Sequence, residues 1–274
     1  MLANSLHKFD ALIITAGAGI GVDSGLPDFR GPQGFWRAYP GLKKSGLRFE
    51  QIANPQHFHT DPTLGWGFYG HRLKVYRETV PHEGFQILRR LAESKPGGYF
   101  VFTSNVDGHF KKAGFDPDRI VECHGSIHHL QCLENCTDDI WPADFDPVID
   151  EEECRMTSPL PKCRHCREIA RPNILMFGDW GWNETRTAEQ TRRYNAWRKQ
   201  AKNPIVIEIG AGTAIPSVRR FGERQGVPMI RINPDDPAVE SARLVSIRKG
   251  ALAALKDLEA AMQPAHSVKS QKQD

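Results

Sequence analysis

The strongest constraint on the fold is a series of short apolar runs: "ALIITAG", "YFVFTSN", "RIVECHG", "NILMFGD", "PIVIEIGAG" and "PMIRINP". Several are apolar at consecutive positions, the pattern of strands buried on both faces of a parallel sheet. Helical patterns separate many of them. "HEGFQILRRLAES" puts Phe85, Leu88 and Leu91 on one face, and "NETRTAEQTRRYNAWRKQAK" reads as a long polar helix capped by Asn183. "GALAALKDLEAAM" closes the series. Strands alternating with helices predict an α/β fold with a doubly wound, Rossmann-like parallel sheet. Residues 1–34, 82–126 and 171–262 would supply that larger domain. A helical insertion at 35–81 and a cysteine-bearing module at 127–170 interrupt the alternation. Together they would form a smaller lobe across a cleft, and the polar tail at 263–274 would be disordered.

Composition narrows the function classes. A net charge of +3 is too mild to call for a nucleic-acid partner. The densest basic cluster, Arg192, Arg193, Arg198 and Lys199, has the spacing of a solvated helix face. No apolar run approaches the ~20 residues of a membrane span, and "MLANSLHKFD" lacks a signal core, so a cytoplasmic protein without a membrane partner is expected. Oligomeric state is left open.

In that compartment six cysteines point to metal or isolated thiols. Cys132 and Cys136 form C-x3-C, and Cys163 and Cys166 form C-x2-C, with 26 residues between the pairs. Two such knuckles can close a tetrahedral Zn2+ site, and four thiolates leave no open position, so the zinc would be structural. Cys154 is a fifth candidate able to replace one ligand. Cys123, in an apolar run, reads as packed inside a strand.

"GAGIGVDSGLPDFRG" follows the first apolar run directly, as a glycine loop leaving a buried strand. Such loops present backbone N–H groups to a pyrophosphate. Yet the third glycine, Gly21, comes one residue early for the usual dinucleotide fingerprint, and position 22 is Val. A degenerate dinucleotide loop, another nucleotide site and a tight turn all remain open on spacing alone. Asp28 and Arg30 then place charge where a dehydrogenase would continue its helix.

These blocks resemble the sirtuins, NAD-dependent protein-lysine deacylases, in the family's order and from about residue 10 to 258. The resemblance implies that Gly17, Ala18, Gly19, Ile20, Asp28, Phe29, Arg30 and Trp36 bind NAD. "TSNVDGHF" would add Ser104, Asn105, Val106 and Asp107, with Asn105 at the ribose and Asp107 at the nicotinamide carboxamide. Without the resemblance, Asn105 and Asp107 would read as turn residues capping the next helix. "ECHGS" would carry the general base, His124, and Asn105 is the other residue assigned to catalysis. Gly210, Ala211, Gly212, Asn233 and Ala251 would complete the cofactor site. "RPNILMFGD" would pair with the substrate peptide through Phe177, Gly178 and Asp179. In such enzymes the acyl-lysine oxygen attacks the nicotinamide ribose, and a histidine then deprotonates a ribose hydroxyl. Nicotinamide, free lysine and O-acyl-ADP-ribose result. The sequence departs from the family at Gly21, Ser104, the Gly210-Ala211-Gly212 turn and Asp179, where Ser or Ala, Gln, Gly-Thr-Ser and Glu are usual.

Tyr69-x-x-Arg72 lies in the helical insertion, where positions i and i+3 share a face. A guanidinium fork matches a carboxylate, and the pair is similar to that of desuccinylating and demalonylating sirtuins. An acidic acyl-lysine protein or peptide is therefore the expected partner, with acetyl-lysine as the other option. An ADP-ribosyltransferase or NAD hydrolase, and a weakly active NAD-binding regulatory module, are the alternative functions.

Overall fold

Strand β1, Ala11–Ala16, has no exposed residue because strands flank it on both edges and helices cover both faces. The computed structural model describes residues 3–27, 35, 39–44, 46–237 and 244–262. Around β1 the chain lays β2 (Tyr99–Thr103), β3 (Ile120–Glu122), β9 (Pro204–Ile209), β10 (Met229–Ile232) and β11 (Leu244–Ile247). All pair in parallel, in the order β11-β10-β9-β1-β2-β3. Counted along the sheet's own strands, this is the doubly wound 3-2-1-4-5-6 order. Its switch point lies between β1 and β9, where a ligand crevice opens beyond the strands' carboxyl ends.

Helix α5, Glu83–Glu93, buries Phe85, Leu88 and Leu91 as its pattern requires, in one cluster with Leu12, Ile14, Ile205 and Leu258. Helix α7, Thr185–Arg198, packs Tyr194 against Val121 of β3 and adds polar links. Gln190 Oε1 accepts from Glu122 N–H at 3.0 Å, and Arg186 and Lys111 both pair with the buried Glu122 carboxylate. Burial pushes that carboxyl's pKa up, but the two cations outweigh it and hold it below the ordinary value. The residue at the N-cap of α7 is Glu184, not the expected Asn183; Asn183 Oδ1 accepts from Thr185 N–H at 3.0 Å in the turn just before the helix.

A second sheet, β5-β4-β8, is antiparallel: β4 is Gly125–Cys132, β5 Trp141–Pro142 and β8 Ala170–Ile174. A two-stranded ribbon, β6 (Ile149–Asp150) and β7 (Arg155–Met156), lies nearby. The run "NILMFGD" therefore does not extend the parallel sheet. Its chain leaves β8 after Ile174, because Asp179 turns back to accept from Met176 N–H at 3.2 Å and to pair with Arg171. Cys123 lies just past β3 and is half-buried.

The regular structure of the insertion's described part is helical. Helices α1 (Pro40–Lys44), α2 (Phe49–Ile52) and α3 (Gln56–Thr60) lead into α4, Pro62–Glu78. Asp61 caps α4, accepting from Leu64 N–H at 3.2 Å, and Pro62 stands at N1. Trp66, Phe68, Tyr69, Leu73 and Tyr76 from α4 join Ile127, Leu130 and Cys163 in a second apolar cluster. Helix α4 can lie against the segment at Cys154 only because Gly67 has no side chain. A Cβ there would fall 1.9 Å from the Cys154 carbonyl oxygen. The remaining helices are α6 (His109–Lys112), α8 (Ser217–Arg224) and α9 (Ala251–Met262). No described helix is long and apolar enough to cross a membrane. The tail expected to be disordered, 263–274, lies outside the described residues.

Gly67→Ala must separate α4 from the Cys154 segment, an overpacking cost of about 1–3 kcal/mol. Urea denaturation should show a matching drop in midpoint. An unchanged midpoint would show that the contact yields freely.

Candidate active site and metal centre

At the switch point the glycines meet backbone to backbone. Gly17 N–H donates to Ile209 O at 3.0 Å and Gly19 N–H to Gly210 O at 3.0 Å. A Cβ on Gly17 would lie 2.7 Å from Gly210 O, and one on Gly19 2.6 Å from Gly210 Cα. Gly210 itself has φ +62, and a Cβ there would lie 2.4 Å from Gly19 C. The loops after β1 and β9 are thus fitted into each other. Gly21 differs, since its Cβ would meet only the flexible Leu26 side chain, at 3.2 Å. The early third glycine is therefore not part of the interlock. From Ala18 to Ser24 the chain forms a 3-10 helix, closed by Gly25 at φ +86.

Neighbouring polar residues fasten these loops. Thr103 Oγ1 donates to Ala16 O at 2.9 Å and accepts from Asn105 N–H at 3.0 Å, while Asn105 Nδ2 donates to Gly17 O at 3.1 Å. Ser104 N–H donates to Ala16 O at 3.2 Å. Asn233 Nδ2 donates to Ala211 O at 3.0 Å, and its Oδ1 accepts from Asp235 and Asp236 N–H. Arg219, which sequence reasoning missed, donates to Ala211 O at 3.0 Å and to Asp236 O at 2.6 Å. Ala251 is buried at the start of α9, and Asp23 from the glycine loop accepts from Leu252 N–H at 2.8 Å. Gly212 has open space beside it. Asp28, Phe29, Arg30 and Trp36 lie outside the described residues.

Asp107 is buried beside this edge, and its Oδ1 accepts from His109 N–H at 2.8 Å, in the turn that leads into α6. Burial raises its pKa. His128 Nε2 lies 2.8 Å from the Asp107 carbonyl, so Nε2 carries the proton. Val106 packs into the insertion's apolar cluster.

His124 stands between β3 and β4, half-buried, and burial lowers its pKa. Its Nε2 lies 3.4 Å from Ser217 Oγ at the start of α8, another residue without a distinct sequence signal. The His124 carbonyl accepts from Leu175 N–H at 3.0 Å, which brings the segment after β8 alongside. Phe177 N–H donates to Ala53 O at 2.9 Å, and the Phe177 ring meets Phe49 edge-on at 5.9 Å. Gly178 is exposed at φ +65. Asp179 does not join them at the surface: both its oxygens are taken up by Arg171, with Met176 and Gly181 N–H also donating to it.

Arg72 and Tyr69 are both buried, Arg72 at 8% exposure, which excludes a solvent-facing arginine. The Arg72 guanidinium carbon lies 5.2–5.8 Å from the ring centroids of Phe49, Phe68, Tyr69 and Tyr76. Its Nε and Nη2 donate to Tyr76 Oη at 3.0 and 2.7 Å. The phenol bonded to the fork is therefore Tyr76, one turn beyond Arg72. The i,i+4 spacing could have revealed it. Desolvation pushes the Tyr69 phenol up to about 12, against the opposing field of Arg72.

The sulfur atoms of Cys132, Cys136, Cys163 and Cys166 all lie within 4.8 Å of one another. The Cys132–Cys166 and Cys136–Cys163 separations are 3.6 Å, close to the ~3.8 Å edge of a tetrahedron with Zn–S bonds of ~2.3 Å. Asn135 at φ 50 and Arg167 at φ 66 make the tight turns beside Cys136 and Cys166. His165 N–H points to Cys163 Sγ at 3.4 Å. The donor set fits a structural Zn2+. Cys154 stands outside this group, buried near α4, where desolvation pushes its thiol up to about 12.

A family model described as the Sir2 family matches residues 17–214. The chain belongs to the Sir2 family. An NAD-dependent protein deacylase of Aquifex aeolicus (strain VF5) is 27% identical over 251 residues, covering 89% of this chain and 92% of that one. One from Pyrococcus furiosus is 33% identical over 239 residues, covering 85% and 86%. Among solved structures, a Sir2 homolog–NAD complex superposes with a TM-score of 0.71 at 26% identity, covering 95% of this chain and 92% of that one. A mutant Sir2 homologue bound to 2'-O-acetyl ADP ribose gives 0.71 at 27%, covering 98% of each.

The metal reading is checked by composition. Purified protein should contain one zinc per chain, and Cys163→Ala should lose it and melt at lower temperature, since metal binding couples to local folding. Zinc-free wild type, or full zinc in the variant, would refute the assignment.

Proposed function

We propose that this chain, an NAD-dependent protein deacylase of the Sir2 family, acts preferentially on lysines carrying acidic acyl groups such as succinyl or malonyl. The observation that carries the specificity is Arg72, a guanidinium buried among four aromatic rings and oriented by Tyr76. A carboxylate arriving there meets a positive charge in low-dielectric surroundings, where a charge-assisted bond is strongest. Phe49 connects the two ends of the path, touching Arg72 on one side and Phe177 on the other. Acyl-lysine threaded past Phe177 and Gly178 would thus put its reacting carbonyl near His124 and its acid terminus at Arg72.

Bound NAD would supply an electrophilic ribose carbon with nicotinamide as leaving group. The interlocked glycine loops, Ala18, Ile20 and Gly212 would hold its phosphates, with Asn233 and Ala251 near its adenosine end. Ser104, Asn105, Val106 and Asp107 would line the nicotinamide end. In this reading Asn105 also keeps the Gly17 carbonyl in place, and Asp107 keeps its loop turned toward α6. His124 takes a proton from a ribose hydroxyl. Its ring accepts only when neutral, and burial favours the neutral form.

Two outcomes test this. His124→Ala should keep NAD affinity and lose deacylation by about a hundred-fold or more. Because burial lowers the His124 pKa, the neutral base persists below pH 6.5, and the acid limb of kcat should fall below that value. Turnover of the variant within a few-fold of wild type would remove the assigned role.

For specificity, Arg72→Met should reduce the ratio of desuccinylation to deacetylation about ten- to over a hundred-fold, the worth of a buried bond to a charged group. Tyr76→Phe should reduce it less, by freeing the fork without removing the charge. A ratio unchanged in Arg72→Met would refute the acidic-acyl preference. Nicotinamide release that ignores acyl peptide would instead favour NAD hydrolysis.

A further inference from the structure

The main chain at His124 is held on both sides. Cys123 N–H donates to Thr103 O at 2.9 Å, and the His124 carbonyl accepts from Leu175 N–H at 3.0 Å. Neither bond fixes the ring, which can still rotate about its side-chain bonds and carry its proton on either nitrogen. A general base needs both settled, and a further group hydrogen-bonded to the ring normally settles them. Among the described residues no charged side chain does so, and burial alone lowers the His124 pKa. The side chain that meets the ring is Ser217, whose Oγ lies 3.4 Å from Nε2. That distance is long for a hydrogen bond, and the contacts of a general base commonly tighten once substrate is seated.

Ser217 is itself firmly placed. It opens α8 directly after Pro216, and Arg220 N–H donates to Pro216 O at 2.9 Å to close the first turn. Val218 is buried, and the Phe221 ring stacks on Phe102 of β2 with centroids 3.6 Å apart and planes 4° from parallel. Arg219 ties the same turn to the loop after β9 through Ala211 O, and to Asp236 O. The hydroxyl thus stands on a rigid element fastened to the loop proposed to hold the cofactor. A serine there can donate to a neutral imidazole or accept from it. The ring beside it lies at the N-terminal end of α8, where a positive charge is disfavoured and the proton-accepting form is kept.

We propose that Ser217 is a positioning residue for His124, its hydroxyl selecting one tautomer of the neutral imidazole and one orientation of the ring for proton abstraction. The inference rests on the function proposed above. The nitrogen left without a proton is the one able to take a proton from the ribose hydroxyl. Through Arg219, the base is set relative to the cofactor's own cradle.

Imidazole nitrogen NMR shifts, recorded without NAD or peptide, read the tautomer of His124, whose signals are assigned by their loss in His124→Ala. Wild type should show one dominant tautomer, and Ser217→Ala a mixture. With a succinyl-lysine peptide, Ser217→Ala should lower kcat about five- to tenfold, the worth of one neutral hydrogen bond, and leave KM for NAD and peptide unchanged. Ser217→Thr, which keeps a hydroxyl, should restore most of both. In a His124→Ala background, Ser217→Ala should cost nothing further. A tautomer ratio identical in wild type and Ser217→Ala would overturn the proposal, as would a kcat loss of the same size in the His124→Ala background. A tautomer change on Ser217→Ala in a protein that turns over no acyl peptide would remove the deacylase reading and leave the pairing of Ser217 with His124 standing.

Discussion

Everything at the candidate site depends on the close approach of two backbones, the loop after β1 and the loop after β9. Gly17, Gly19 and Gly210 allow it, and each would place a Cβ within 2.7 Å of the opposing loop. Because β1 and β9 are the two strands at which the winding reverses, this contact forms the floor of the crevice. Side chains then secure it from outside: Asn105 from the β2 end, Asn233 and Arg219 from the β9–β10 side, and Asp23 through the cap on α9. Several residues that family resemblance assigns to the cofactor thus also hold the loops against each other. Changing one of them alters the shape of the crevice as well as its contacts.

Buried charge organises the rest. Arg171 and Asp179 turn the chain out of β8, and Glu122 with Arg186 and Lys111 binds α7 to β3. Arg231 sits directly across from Glu208 on adjacent strands, both shielded from solvent, with Glu223 as a second partner. Removing one member of such a pair leaves an uncompensated buried charge, which costs more than the pair contributes. These pairs fix geometry, and at Asp179 the geometry is that of the proposed substrate loop.

Much of this was legible in the sequence, for identifiable reasons. Continuous apolar runs marked β1, β2, β9 and β10, and short cysteine spacings marked the metal centre, because burial and tetrahedral ligation impose local patterns. Strand β4 was hidden: "GSIHHLQC" mixes polar and apolar residues, and its partner β8 lies 38 residues further on. The helical character of the glycine loop was masked by its glycines. The contact partners Ser217 and Arg219 gave no separate signal, since their meaning comes from where distant segments meet. The internal role of the Asp179 carboxylate was hidden for the same reason. Its partner, Arg171, is eight residues back, and no local pattern announces the pair.

Strand β4 also has a mechanical meaning. His124 immediately precedes it and Cys132 ends it, so one extended segment runs from the proposed base to the metal cluster. Its partner β8 runs from just past the Cys163–Cys166 turn to Ile174, and the next residue, Leu175, is bonded back to His124. The pair, which shifts register between Ser126 and Leu130, joins the cysteine cluster at one end to the proposed base at the other. A zinc held by the four cysteines would thereby bear on the setting of the imidazole without meeting substrate. Chelators would act on this enzyme as agents that loosen a support, and their effect would follow the stiffness of the strand pair.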